Sequence, residues 1–183
     1  MTALPLPRMN VDEYLAWAAA KPGRYELYDG SVYAMSPEGV GHAKVKGAVY
    51  AALTAGIKAR CLPCHALPDG VTVRIEATTA FEPDALVYCG KEASSTSLEI
   101  TNPVIIVEVL SPSTRRIDVT KKLAGYFQLP SVAHYLIIDP TKPFIVHHAR
   151  GNGDKIDTRI VNDGVIALEP PGLELKIADV YGA

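Results

Sequence analysis

The sequence has few cysteines, no long apolar run and no excess of basic residues, and each shortage argues against a class of protein. Three cysteines, an odd number, do not suggest a disulfide-stabilised secreted domain. Residues 1–10 are interrupted by prolines and polar residues and lack the apolar centre of a secretory signal. We therefore expect a cytoplasmic protein with reduced thiols. No apolar stretch approaches the roughly 20 residues that cross a bilayer.

The charge balance excludes a protein whose whole surface coats nucleic acid, because the net charge is −2. A local basic patch that faces phosphate remains compatible with it. The length of 183 residues fits one domain, and 48% hydrophobic and 21% charged residues are ordinary for a globular chain. We expect a single domain over 1–183, with an N-terminal helix at 10–20, a core over about 24–148, and a C-terminal hairpin and short helix to 183.

Capping and turn residues predict the elements of the first third of the chain. Asn10 can cap a helix that ends near Ala20, and Glu13 completes a capping box. The pair Asp29-Gly30 between two apolar runs predicts a hairpin, since both turn positions favour positive φ. A second helix is predicted over about 41–60, where apolar residues recur at three- and four-residue steps.

Strand patterns dominate the middle of the chain. Residues 71–76 alternate apolar and polar, as in a half-buried strand. Residues 104–110 are almost continuously apolar and β-branched, which predicts a central strand covered on both faces. The other predicted elements are strands at 85–88, 134–138 and 144–148, a helix at about 118–128, and a hairpin with a helical turn over 154–181. This order predicts an α/β (α+β) fold.

One acidic residue interrupts the apolar strand. Every other member of the run around Glu108 is Val, Ile or Leu, so its carboxylate is expected to leave water and to need a cation. Asp84 follows Pro83 at the start of another strand and is the expected partner. Two such carboxylates can hold Mg²⁺ (or Mn²⁺) together with waters and phosphate oxygens. The alternatives are a Glu108 paired with a core arginine or tyrosine hydroxyl and an Asp84 that only shapes a turn.

A lysine pair on the following helix supplies the third predicted component. Lys121 and Lys122 point at least about a quarter-turn apart, and either could reach the end of the Glu108 strand. A lysine there would orient a nucleophilic water or stabilise charge on a phosphate. Alternatively, Asp118 and Lys122 form an i, i+4 pair on a solvated helix face.

Several motifs together resemble one known family. They are Arg24-Tyr25-Glu26-Leu27 with Asp29-Gly30, Met35-Ser36-Pro37, His42, Pro83-Asp84, the run from Val107 to Thr114, Lys122-Leu123 with Tyr126, and Tyr135 to Pro140. With them the chain resembles the Uma2 family, a branch of the PD-(D/E)XK nucleases related to restriction endonucleases. The likeness covers about 24–146 and implies a mixed central sheet flanked by helices.

The resemblance also implies roles for single residues. Asp84 and Glu108 would bind the metal, with the main-chain carbonyl of Val109 as a further ligand and Glu26 as an added acidic one. The lysine of the wider superfamily lies two residues after the second acid, at a position that is Leu110 here. This branch carries the lysine on the helix.

The helix lysine maps onto Lys122, with Lys121 as the second choice. His42 matches a family position that either faces phosphate or makes a structural hydrogen bond. Arg115 and Arg116, with Lys121, form a candidate phosphate-facing patch. The alternative for this patch is the charged first turn of a surface helix.

The implied function is endonucleolytic hydrolysis of DNA, with a homodimer expected because one small domain has one site for two strands. The alternative is a catalytically silent nuclease-like domain that binds nucleic acid or a protein partner. A third hypothesis is a small metal or haem carrier, since Cys61, Cys64 and His65 follow the Cys-x-x-Cys-His pattern. We favour instead two buried or half-buried cysteines at a strand start. Cys89 and the pair His147-His148 are too loosely spaced to predict a site.

Overall fold

The structure, a computed structural model, describes residues 3–111 and 118–182. The helices are α1 (Val11–Ala19), α2 (Val40–Ala59), α3 (Leu123–Tyr126), which continues a π-helical segment (Asp118–Lys122), and α4 (Ile177–Tyr181). The strands are β1 (Tyr25–Tyr28), β2 (Ser31–Ala34), β3 (Cys64–Pro68), β4 (Thr72–Glu76), β5 (Thr79–Phe81), β6 (Ala85–Cys89), β7 (Glu99–Ile100), β8 (Pro103–Val109), β9 (His134–Ile138), β10 (Ile145–Arg150), β11 (Ile156–Val161), β12 (Val165–Leu168) and β13 (Leu173–Lys176).

The local signals at the N-terminal end are confirmed. The Asn10 side chain accepts a hydrogen bond from the Glu13 N–H, and the Glu13 carboxylate accepts one from the Asn10 N–H, both at 2.9 Å. In the β1–β2 turn Asp29 and Gly30 have φ angles of 47° and 72°. The buried face of α2 consists of residues four apart, at Val45, Val49, Leu53 and Ile57.

The larger sheet has the strand order β11-β10-β9-β8-β6-β3. Its central strand β8 is antiparallel to β6 and parallel to β9, so the sheet is mixed as predicted. One face packs against α2 and the β12–β13 hairpin with α4. The other face packs against a smaller sheet, ordered β2-β1-β5-β4-β7, and the short helix α3. Because β8 is covered on both faces, a polar side chain on it needs a partner from another element.

The sheet extends further than the pattern indicated. β11 pairs with β10 beyond the expected core end at 148. In β4, Thr72 is buried whereas Ile75 is half-buried, so simple alternation fails. The reason is a register shift between Arg74 and Glu76 in the pairing of β4 with β5, which interrupts the alternation of faces. The helix expected to reach about 128 ends at Tyr126.

The expected thiol state is wrong at two cysteines. Cys64 and Cys89 face each other across β3 and β6, with Cα atoms 3.9 Å apart, and form a disulfide. Cys61 is exposed rather than buried. The disulfide removes Cys64 from a haem or zinc site, and the carrier hypothesis therefore fails.

Within the part of the chain that the structure describes, no helix is both long and apolar enough to span a membrane.

Candidate functional site

Adjacent strands of the larger sheet present Asp84 and Glu108. Asp84 directly precedes β6, where its N–H donates to the Val107 carbonyl at 3.0 Å. Its Oδ2 atom accepts a hydrogen bond from the Val109 N–H at 2.7 Å. Both carboxylates are 4% exposed, and both line one cavity. The structure therefore brings the two predicted acids to the same end of the sheet.

Glu108 is held from the helix that follows its strand. Oε1 of Glu108 accepts a hydrogen bond from Lys122 Nζ at 2.8 Å and another from the Tyr126 hydroxyl at 2.7 Å. Lys122 is 1% exposed, so it does not belong to a solvated helix face. Lys121 lies elsewhere, with its ammonium 3.9 Å from the centre of the Tyr28 ring. Of the two lysines, the structure thus places Lys122 at Glu108.

Glu26 on β1 also contacts the ammonium of Lys122. Its Oε1 atom is 2.8 Å from Lys122 Nζ and accepts a hydrogen bond from the Glu82 N–H at 3.1 Å. It is not among the residues that line the cavity. Burial, and then the charges of Glu108 and Glu26, raise the pKa of Tyr126 well above its usual value, so its hydroxyl remains a donor.

His42, on the first turn of α2, contacts the end of both site strands. Its Nε2 atom lies 2.9 Å from the Val109 carbonyl oxygen and 3.5 Å from Oδ2 of Asp84. Burial lowers the pKa of His42, but the hydrogen bond and charge of Asp84 and the charge of Glu38 outweigh it, and the net pKa is raised. For Asp84, burial raises the pKa, but the hydrogen bond and charge of His42 and the Val109 N–H outweigh it, and the net pKa is lowered.

Glu38 joins this group, although the sequence analysis did not single it out. One ligand atom from each of Glu38, His42 and Asp84 lies within 4.8 Å of the others, close enough to hold a metal ion. Glu38 also forms ion pairs with Arg24 and Lys46. Its spacing of four residues from His42 is the signal in the sequence that could have found it.

The site opens into a cavity of about 450 Å³. Its lining residues are Met35, Ser36, Pro37, Glu38, Gly39, Gly41, His42, Asp84, Glu108, Val109, Leu110, Ser111, Lys122, Pro140 and Thr141. Arg115 and Arg116, which were expected to face phosphate, lie outside the described residues. The cavity thus combines buried carboxylates, a histidine and a lysine.

Two proteins of Synechocystis sp. are similar to this chain in sequence. Uncharacterized protein slr1290 of Synechocystis sp. is 26% identical over 187 residues, which cover 97% of this chain and 93% of that protein. Uncharacterized protein sll1609 of the same organism is 33% identical over 82 residues, covering 44% and 46% of the two chains.

A solved structure shares the fold. It is described as a putative nuclease belonging to DUF820 from Anabaena variabilis, with a TM-score of 0.73 and 16% identity, over 95% of this chain and 98% of that one. The Uma2 family model, described as "Putative restriction endonuclease", matches residues 11–179. A match over nearly the whole chain means that this protein belongs to the Uma2 family.

Proposed function

We propose that this chain is an endonuclease that hydrolyses phosphodiester bonds in DNA with a divalent cation, and that Asp84, Glu108 and Lys122 carry the reaction. The observation that supports this most strongly is the buried Lys122–Glu108 pair beside Asp84 in one cavity. Burying an ion pair inside a sheet costs desolvation energy that packing alone does not require. Such a pair at a cavity wall is therefore typical of a site that performs chemistry.

The donor atoms fit Mg²⁺ or Mn²⁺. Asp84 and Glu108 offer carboxylate oxygens, and Val109 offers a carbonyl, which are the hard ligands that these ions prefer. The contacts of the Asp84 carboxylate with the Val109 N–H and with His42 both involve Oδ2. Within residues 3–111 and 118–182, no hydrogen bond to Oδ1 of Asp84 is found. His42 occupies one side of the Val109 carbonyl oxygen, which has a second lone pair. A bound cation would neutralise charge on the scissile phosphate and acidify a water.

The residues of the chain then have separate tasks. Lys122 lines the cavity, where its ammonium can donate to the attacking water or to a phosphate oxygen. Glu26 holds the other side of this ammonium and so fixes its direction. Tyr126 fixes Oε1 of Glu108 in the same way. We therefore propose that Glu26 positions the lysine, rather than serving as a metal ligand.

Contacts to the substrate follow from the positions around the cavity. Protonated His42 would face a phosphate from the start of α2, where the helix N-terminus also favours an anion. Lys121, which lies beside Tyr28 and outside the cavity, is proposed to contact the phosphate backbone further along the DNA, as are Arg115 and Arg116. We further propose a homodimer, since one cavity serves one DNA strand.

The test is a nicking assay on supercoiled plasmid with Mg²⁺, Mn²⁺ or a chelator, using wild-type protein, Glu108→Gln and the surface control Glu174→Gln. We expect nicking that needs the cation, falls at least about 100-fold in Glu108→Gln and stays unchanged in the control. Parallel assays on single-stranded DNA and RNA decide the substrate. Retention of labelled DNA without any nicking would favour the silent binding domain instead. Nicking that persists in Glu108→Gln would contradict the proposed site.

A further inference from the structure

The edge strand β11 is a regular strand that lies open to solvent. Its six residues pair with β10 in unbroken register, and among the described residues no other strand pairs with its outer side. Every residue from 156 to 160 is exposed, including the apolar Ile156 and Ile160, which are 40% and 65% exposed. The edge therefore offers backbone donors and acceptors together with apolar side chains.

The two edges of the larger sheet differ. Soluble proteins protect sheet edges with proline, charged side chains (lysine above all), bulges or short strands, because an open edge pairs with other chains. The opposite edge, β3, is mostly half-buried and ends at Pro68. β11 contains no proline or lysine and no register shift. Its two charged side chains, Asp157 and Arg159, have opposite signs, so they do not prevent pairing with a strand that presents the complementary order.

The side chains of β11 can pair with those of a second, antiparallel copy of the same strand. In an antiparallel pair of two copies centred on Thr158, Ile156 of each copy lies opposite Ile160 of the other. Asp157 then lies opposite Arg159, and this charge pair occurs twice by symmetry. Apolar pairs and opposite charges are the combinations that stabilise neighbouring strands.

Other registers lose this match. Centring the pair on Asp157 or on Arg159 places that charge against its own copy, which is unfavourable. Sliding by one residue in either direction places Asp157 opposite Thr158 or Ile160. A parallel pair places Asp157 against Asp157 and Arg159 against Arg159. The centre at Thr158 is the arrangement that pairs both charges and both isoleucines.

We propose that two copies of this chain associate through β11, with their strands antiparallel and centred on Thr158, to form one continuous sheet. The partner is a second copy because the charge pattern of the strand complements itself. A contact of six residues per chain is smaller than the about 800 Å² per partner of a standard interface. We therefore expect a weak dimer, populated only at high protein concentration. β8 lies three strand positions from β11, about 14 Å away, so pairing leaves the cavity open.

Charge exchange tests the register directly. Sedimentation velocity over a concentration series measures dimer dissociation for wild-type protein, Asp157→Arg, Arg159→Asp, the double variant Asp157→Arg/Arg159→Asp and the exposed control Glu92→Arg. We expect each single variant to dissociate at least about tenfold more readily, because like charges then face each other. The double variant should recover to within about threefold of wild type, and the control should not change. A monomer at every concentration, or a double variant as weak as the singles, would overturn the proposal.

Cross-linking provides a second measurement that does not depend on charge. In a Cys61→Ser background, Thr158→Cys places two thiols opposite each other, whereas Ile160→Cys leaves them about 13 Å apart along the strands. Mild oxidation should link the Thr158→Cys dimer and not the Ile160→Cys protein. Equal linking of both, or of neither, would contradict the register.

Discussion

Nζ of Lys122 lies 2.8 Å from Oε1 of Glu108. The lysine belongs to the π-helical segment before α3, and the glutamate belongs to β8. Glu26 on β1 lies at the same distance from the other side of this ammonium. All three side chains are at most 5% exposed, so the single positive charge of the lysine is shared by two carboxylates away from water. This arrangement joins the smaller sheet, the larger sheet and the following helix at one point.

Removing the lysine charge should destabilise the fold. In Lys122→Met the two carboxylates stay buried without their cation, and we expect a loss of about 3–5 kcal/mol in the free energy of unfolding at pH 7. Urea denaturation measures this loss. The neighbouring exposed substitution Lys121→Met should change stability by no more than about 0.5 kcal/mol. Adding Glu26→Gln to Lys122→Met should recover part of the loss, and no recovery would mean that charge is not its cause.

The contact of His42 with Asp84 should make stability depend on pH. The raised pKa of His42 contributes stability that is complete below its ordinary value of 6.5 and is lost as pH rises through the folded-state pKa. The lowered pKa of Asp84 contributes stability above its ordinary 3.8, lost as pH falls through the folded-state pKa. In chelator, wild type should exceed His42→Asn most between about pH 4 and 6.5, and less at pH 8–9. A difference independent of pH would exclude a charged pair.

A buried histidine pair should limit stability in acid. His134 Nδ1 and His147 Nε2 are 2.9 Å apart, and burial, with the charges of His134, Arg159 and His148, lowers the pKa of His147 to about 4. Between pH 6.5 and 4 the unfolded chain takes up this proton before the folded one, so stability should fall as pH falls, by up to about 3 kcal/mol. An NMR titration of the His147 imidazole in the folded protein with a midpoint near 6.5 would contradict the lowered pKa.

The disulfide predicts a thiol count. Because Cys64 and Cys89 are bonded, we expect one reactive thiol, that of Cys61, in oxidised native protein, and three after denaturation and reduction. Thiol titration measures both numbers. Three reactive thiols in freshly purified, unreduced protein would show that the pair is reduced in the native fold.

The parts of the site with a local physical signature could be predicted from the sequence. A single acid in a β-branched run has a desolvation cost that points to a cation, and Glu108 is buried among partners as expected. The Asp29-Gly30 turn and the cap of α1 depend on neighbouring residues only, and both are confirmed.

Partners that depend on packing between elements could not be predicted in this way. The contact of Glu26 with Lys122 requires β1 and the segment before α3 to meet beside β8, which no local pattern encodes. The same holds for Cys64 and Cys89, which become neighbours only when β3 pairs with β6. His42 was located by family resemblance, but its contact with the Val109 carbonyl follows from where α2 crosses the sheet.

The most direct test of the central claim is Mn²⁺ binding, measured by calorimetry on the wild type and on Asp84→Asn, Glu108→Gln and Glu174→Gln, with plasmid nicking measured on the same samples. We predict that the wild type and Glu174→Gln bind the ion and nick DNA. We also predict that Asp84→Asn and Glu108→Gln each lose at least about tenfold in affinity and at least about 100-fold in nicking rate. Undiminished Mn²⁺ affinity and nicking in both site variants would contradict the claim that these two carboxylates hold the catalytic cation.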